Sequence, residues 1–279
     1  MNNKYVLLIG ILLAFVFSKA QTIEYKNIWN EAPKNIPSDV SVDAPLMGNG
    51  DLKMTVGYEP NLLRYYLSKN DFWRLKSQAE NLSGPRPVGF VDIGFNTMAN
   101  AKFSAIQDLQ DGKTTVTLNK KGVRMVSWVS ATQNLIFIEM ESLKDSMDVS
   151  INLSAPYNHL AELKKGSVDS INWMSRSFEK DVDISTKVAV ALKVSEQGKT
   201  DFILSPGKKI LITVAVESKF KNDDPLKEVI GKCNSINKEL FQQLKENDAK
   251  WWEQYWLKSS VQISDSVLMK SYYQGLYTM

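Results

Sequence analysis

The stretch from Ala44 to Lys76, APLMGNGDLKMTVGYEPNLLRYYLSKNDFWRLK, constrains the chain more than any other. Its Gly48-Asn49-Gly50-Asp51 segment reads as a corner, because glycine accepts positive φ and Asn and Asp come next in tolerance. Leu52, Met54 and Val56 then alternate with Lys53 and Thr55, the period of a half-buried strand. Leu62 to Leu67 reads as a second strand, with Tyr58-Glu59-Pro60-Asn61 as the turn between them. The stretch closes on a polar loop, Ser68-Lys69-Asn70-Asp71-Phe72-Trp73, carrying two large aromatics.

The next 150 residues repeat this grammar. Gln78 to Gly89 is a Pro/Gly/Ser-rich loop in which Pro85 and Pro87 block a helix. A strand is expected over Phe90 to Phe95, and Asp111-Gly112 is a hairpin turn between Ala101 to Leu109 and Thr114 to Leu118. Arg124 to Thr132, Leu135 to Met140, Met147 to Leu153, Ser170 to Met174, Thr186 to Val194, Thr200 to Leu204 and Lys209 to Glu217 follow as strands. The near-continuous apolar runs of Ile210 to Val216 suit a strand covered on both faces. About ten short strands broken by turns predict a mainly β chain, a large antiparallel β-sandwich.

The pattern changes at Asp224, which can cap a helix with Pro225 at its first position. Ile236, Leu240, Leu244, Trp251, Trp252, Tyr255 and Trp256 recur at three- and four-residue steps, an amphipathic helix. Lys245 to Lys250 is a polar stretch inside it that could break it. Val261 and Ile263 alternate like a short strand, and Ser264-Asp265 can cap a further helix carrying Leu268, Tyr272 and Leu276. An exposed stripe of Leu268, Tyr272, Tyr273, Leu276 and Tyr277 would need a partner. The division expected is a leader over 1–20, a sandwich domain over 21–222, a helical linker over 223–263 and the start of an α-helical domain over 264–279.

The leader reading rests on a short positive segment, an apolar run from Tyr5 to Phe17 and the small residues of Ser18-Lys19-Ala20, a cleavable signal peptide too short to span a membrane well. Removing it takes two lysines from a net charge of +3 and leaves 3 − 2 = +1. So balanced a surface gives no footprint for nucleic acid or an anionic membrane. Lys120-Lys121 and Lys164-Lys165 read as solvated turns. Cys233, the single cysteine, allows no internal disulfide, which for an exported chain fits a bacterial periplasm or secretion. It reads as buried and structural.

With one histidine, His159, and one cysteine, a His/Cys zinc site has no ligand set, and no glycine-rich phosphate loop stands between a strand and a helix. No cofactor and no metal are expected. Glycoside hydrolysis needs two carboxyl groups flanking one bond. Glu139 and Glu141 alternate on one strand as a solvated face, Asp181 and Asp183 sit in a charged turn, and Asp248 and Glu253 fall on different faces of a helix, so no catalytic residue is assigned. The best binding candidates are Asn70 and Asp71, which can bond sugar hydroxyls, and Trp73, whose flat face suits a pyranose ring. Asn49 and Asp51 of the corner are further candidates. For each, turn chemistry or core packing is the alternative.

The motif PLMGNGDL…YYLSKNDFW resembles the opening of the N-terminal β-sandwich of six-hairpin glycosidases, and is most similar to glycoside hydrolase family 95, the α-L-fucosidase family. Pro45, Leu46, Gly48, Asn49, Gly50, Asn70, Asp71 and Trp73 carry the likeness. Met47 is inserted between Leu46 and Gly48, and the loop reads SKNDFW where the family has a NEDTLW-type sequence. The resemblance implies a (α/α)6 barrel that supplies the acid and base, joined through a Trp-rich linker like Trp251-Trp252-Glu253-Gln254-Tyr255-Trp256. It also implies that Asp265 onward is the first barrel helix and that the chain is cut before the rest. Three classes of function follow: the N-terminal part of an exported glycoside hydrolase acting on carbohydrate, a free carbohydrate-binding sandwich, or an unstable truncated product.

Overall fold

A computed structural model describes residues 26–36, 43–77, 83–119, 122–156, 160–195 and 198–278. The leader, Lys120-Lys121 and His159 lie outside the described residues. In chain order the first strands are β1 (Lys26–Trp29), β2 (Leu46–Gly48), β3 (Leu52–Glu59), β4 (Leu62–Lys69), β5 (Trp73–Arg74) and β6 (Gly84–Pro85). Then come β7 (Gly89–Phe95), β8 (Phe103–Asp108), β9 (Lys113–Leu118), β10 (Val123–Val129), β11 (Leu135–Ser142) and β12 (Met147–Ser154). The last are β13 (Glu162–Val168), β14 (Ile171–Phe178), β15 (Thr186–Val194), β16 (Asp201–Leu204) and β17 (Lys209–Ser218). Three helices follow, α1 (Pro225–Ser235), α2 (Lys238–Leu257) and α3 (Ser266–Thr278).

Two large sheets face each other, one in the order β1-β8-β9-β10-β11-β17-β15-β14-β13, the other β16-β12-β7-β4-β3-β2. Their pairings are antiparallel, as in β3 against β4 and β11 against β17. The core between them is built by alternation: Leu63, Tyr65 and Leu67 point in from β4, and Ile136, Ile138 and Met140 from β11. A second cluster lies on the outer face of the larger sheet, where Val229 and Cys233 of α1 and Leu244 of α2 cover Phe137, Ala189 and Ala215. Those helices are why β17 is buried on both faces. The fold is thus the expected antiparallel β-sandwich followed by helices.

Several local expectations are corrected. Lys164-Lys165 is not a turn but the middle of β13, an edge strand in which Leu163 alone is partly buried; one inward apolar residue leaves no alternation to see, and lysines there discourage sheet-to-sheet association. The single long helix is two, because Ile236 takes extended backbone and Asn237 caps α2 by accepting from the Leu240 amide at 2.8 Å. Lys245 to Lys250 does not interrupt α2. Val261 and Ile263 form no strand; the Tyr273 hydroxyl accepts from Val261 N at 3.1 Å and donates to Val261 O at 2.9 Å, replacing ladder bonds. Glu139 and Glu141 do not lie on an open face: Glu139 pairs with Lys245 of α2 at 2.7 Å and Glu141 with Arg124 at 2.7 Å.

The aromatic stripe of α3 is largely covered. Tyr273 packs on Trp256, Tyr277 stacks on Trp252, and Leu109 closes the cluster from the β8–β9 turn. Asp265 caps α3 as expected, accepting from the Val267 and Leu268 amides. What stays open are the apolar side chains of Leu257, Ile263, Val267 and Leu268.

Candidate functional site

The corner that opens the sandwich is fixed by one side chain. Asn49 Oδ1 accepts from the amides of Asp51 at 3.1 Å and Leu52 at 2.8 Å, turning the chain into β3, while Gly50 between them holds φ +85°. Asn49 Nδ2 donates to Ser130 O and Gln133 O, each at 2.9 Å. The corner is thereby stitched to the loop that joins β10 to β11.

Lys69 ends β4 in inward register, following Leu63, Tyr65 and Leu67, and its side chain is 0% exposed. Its ammonium donates to Asp51 and to Asp71, the latter at 3.1 Å. Asp51 also accepts from Asn134 Nδ2 at 2.8 Å and lies 3.7 Å from Lys221. Asp71 also accepts from Ser218 Oγ at 2.6 Å. Burial works to raise the Asp51 pKa, but Lys69, Asn134 and Lys221 outweigh it and hold the carboxyl below its ordinary value.

Around this network lies a polar cleft of about 450 Å³, lined by Asn49, Asp51, the 131–134 loop, Glu217, Lys221, Asn222 and Lys232. Glu217 is buried and paired with Lys232 of α1. The cleft thus offers both donors and acceptors and no aromatic wall. Such a lining can bond the hydroxyls of a neutral polar ligand edge-on.

The structure brings Asn49, Asp51 and Asp71 into one network around Lys69. Asn70 and Trp73 stand apart from the cleft lining. Trp73 Nε1 donates to Asn70 O at 2.6 Å, and 39% of Trp73 stays exposed. Lys69, Asn134 and Glu217 were not among the residues singled out. Lys69 could have been found, because the period-two register of β4 carries it inward, and a buried ammonium requires acids around it. Among the described residues no group of three or more His, Cys, Asp and Glu is placed to hold a metal ion.

This arrangement is a large two-sheet antiparallel sandwich running into helices. The chain is similar to a solved structure described as a kojibiose phosphorylase from human microbiome, with a TM-score of 0.55 and 13% identity over 92% of this chain. The chain spans 41% of the length of that structure, and the likeness is one of fold. Neither a scan against protein-family models nor a search of curated proteins finds a match.

Proposed function

We propose that this chain is the non-catalytic sandwich and linker of an exported carbohydrate-active enzyme that cleaves glycosidic bonds with carboxyl groups lying beyond residue 279. The observation that carries the reading is a sandwich-then-helices fold matched over nearly all of this chain but 41% of a longer structure. The two strand acids support it: Glu139 and Glu141 are engaged in ion pairs with Lys245 and Arg124. The exposed apolar side chains of Leu257, Ile263, Val267 and Leu268 are suited to cover by a following helical domain. Within this class, the corner and the KNDFW loop favour the family 95 chemistry, with α-L-fucosides as the first substrates to try. In this reading the sugar meets the protein at Asn70 and Trp73 and at the cleft beside Asp51.

The test is to assay the purified 279-residue chain, and the same chain extended by the downstream coding sequence, on aryl α-L-fucosides and on disaccharides with and without phosphate. Activity in the extended protein alone is expected. Hydrolysis by the 279-residue chain, or inactivity of both on every glycoside, overturns the reading. A free carbohydrate-binding module is the second reading, favoured by the half-exposed ring of Trp73 beside Asn70. It predicts oligosaccharide binding by the 279-residue chain that Trp73→Ala abolishes.

A further inference from the structure

Asp248 is 3% exposed in the middle of an otherwise amphipathic helix. It follows Leu244 and precedes Trp252 and Trp256 at four-residue steps, so it occupies the buried stripe of α2. A carboxylate there must be compensated, and its three donors all come from β10 and the loop after it. Trp128 Nε1 donates at 3.2 Å, Ser130 Oγ at 2.9 Å and the Ala131 amide at 3.0 Å. An anchor for the helix would need no more than the Trp128 bond and the Lys245–Glu139 pair nearby. Instead two of the three bonds reach the loop that lines the cleft.

From that loop the bonding continues. Ser130 N donates to Leu135 O at 2.8 Å, closing the loop, and Ser130 O accepts from Asn49 Nδ2. Asn49 in turn holds the amides of Asp51 and Leu52. Asn134, at the far end of the loop, bonds Asp51. We propose that Asp248 is a positioning residue, through which the docked helix α2 sets the shape of the 131–134 loop and hence the placement of Asp51 in the cleft. A ligand that needs the loop in this shape must then favour the docked helix to the same degree, because coupling between two sites is reciprocal. As a statement about a sugar site the inference rests on the reading under Proposed function; as a statement about the loop it does not.

Burial works against the charge of Asp248 and raises its pKa, although Ala131, Ser130, Trp128 and Lys113 each pull the other way. The carboxylate is therefore held at a cost to folding, which fits a role in geometry better than one in overall stability.

Hydrogen exchange of the full 279-residue chain tests the inference without any ligand. Asp248→Ala should speed exchange of the Ala131, Asp51 and Leu52 amides by about tenfold, the scale of one lost hydrogen bond to a charged group. Asp248→Asn keeps an acceptor for Ala131 and Ser130 and should restore most of the protection. Leu244→Ala, one turn away in the same buried stripe, should weaken the fold without singling out Asp51 and Leu52. If Asp248→Ala does not fold, Ser130→Ala breaks the same route from the loop side and should give the same local pattern. Equal exchange profiles for the Asp248 or Ser130 variant and for Leu244→Ala, matched in global stability, overturn the proposal. The sugar arm is read separately, by titrating L-fucose and maltose into wild type and Asp248→Asn. Failure of both sugars to bind wild type would count against the sugar site while leaving the exchange result to decide the coupling.

Discussion

Lys69 and Asp51 form a buried ion pair at the point where the two sheets meet the glycine corner, with Asp71 completing the charge on the other side of the ammonium. The relation is asymmetric. Asp51 has Asn134 and Lys221 as further partners, and Asp71 has Ser218, while Lys69 is wholly enclosed. Removing the lysine therefore leaves two mostly buried carboxylates facing each other without the cation between them. Lys69→Met should lower the unfolding free energy by about 3–5 kcal/mol, the cost of breaking a buried pair. Adding Asp51→Asn and Asp71→Asn to it should recover most of that loss, and urea unfolding of the three proteins measures both steps.

The same site fixes a pH dependence. The folded-state pKa of Asp51 lies below its unfolded value, so its contribution is present above the unfolded pKa and disappears as pH falls through the folded one. Wild-type stability should therefore decline below about pH 4, near the ordinary aspartate value. Asp51→Asn should flatten that part of the acid limb, and urea midpoints taken between pH 3 and 7 would register the difference.

Gly112 is required twice over. It turns the β8–β9 hairpin at φ +66°, and a Cβ built there would stand 2.6 Å from the Trp252 ring. The turn that makes a hairpin in the sandwich is thus also the seat of the Trp-rich helix. Gly112→Ala should cost about 2–5 kcal/mol, combining left-handed strain with overpacking. It should also change near-ultraviolet circular dichroism from the Trp252–Trp256–Tyr273 cluster. An alanine that leaves both unchanged would contradict the contact.

The sandwich was legible because alternation along β3, β4 and β11 reports which face meets the core. β13 was not, since an edge strand with Leu163 as its one partly buried residue has no alternation to report. The helix break at Ile236-Asn237 was hidden because apolar spacing continued across it, and the capping side chain of Asn237 decided the matter. Asp248 looked like part of a polar interruption when read within its own segment. Its place in the stripe of Leu244, Trp252 and Trp256 was readable, but the donors that make burial tolerable belong to residues 128–131, more than a hundred positions away. Similarly, the corner residues Asn49 and Asp51 could be nominated from sequence, while their partners Ser130, Gln133 and Asn134 depended on how two distant turns meet.

Cys233 was expected to be inert, and its surroundings give that expectation a measurable form. It is enclosed by α1 and the outer face of the larger sheet, and burial pushes its thiol up to about 12. A thiol reagent at pH 8 should react slowly with native protein and stoichiometrically, one thiol per chain, in denaturant. In the unfolded chain the thiol ionises near 8.5, so above that pH the unfolded state loses its proton first and native stability falls. Relative to Cys233→Ala, wild type should lose about 2 kcal/mol between pH 8.5 and 10, at 1.36 kcal/mol per unit.

The exposed apolar side chains beside α3 separate folding from association. Val267 and Leu268 are 71% and 60% exposed and sit in the first turn of the helix, just after the capping Asp265. Neither contributes much to the core, and acidic residues at a helix N-terminus interact favourably with its dipole. The double variant Val267→Glu, Leu268→Glu should therefore change stability by no more than about 0.5 kcal/mol. If these side chains form the surface a helical partner domain covers, the unmodified chain should self-associate through it as concentration rises, and the double variant should stay monomeric. Sedimentation velocity across a hundredfold concentration range distinguishes the cases. A wild-type chain that remains monomeric throughout would mean that these side chains do not act as one associating surface, and the case for a covering domain would then rest on the fold likeness alone.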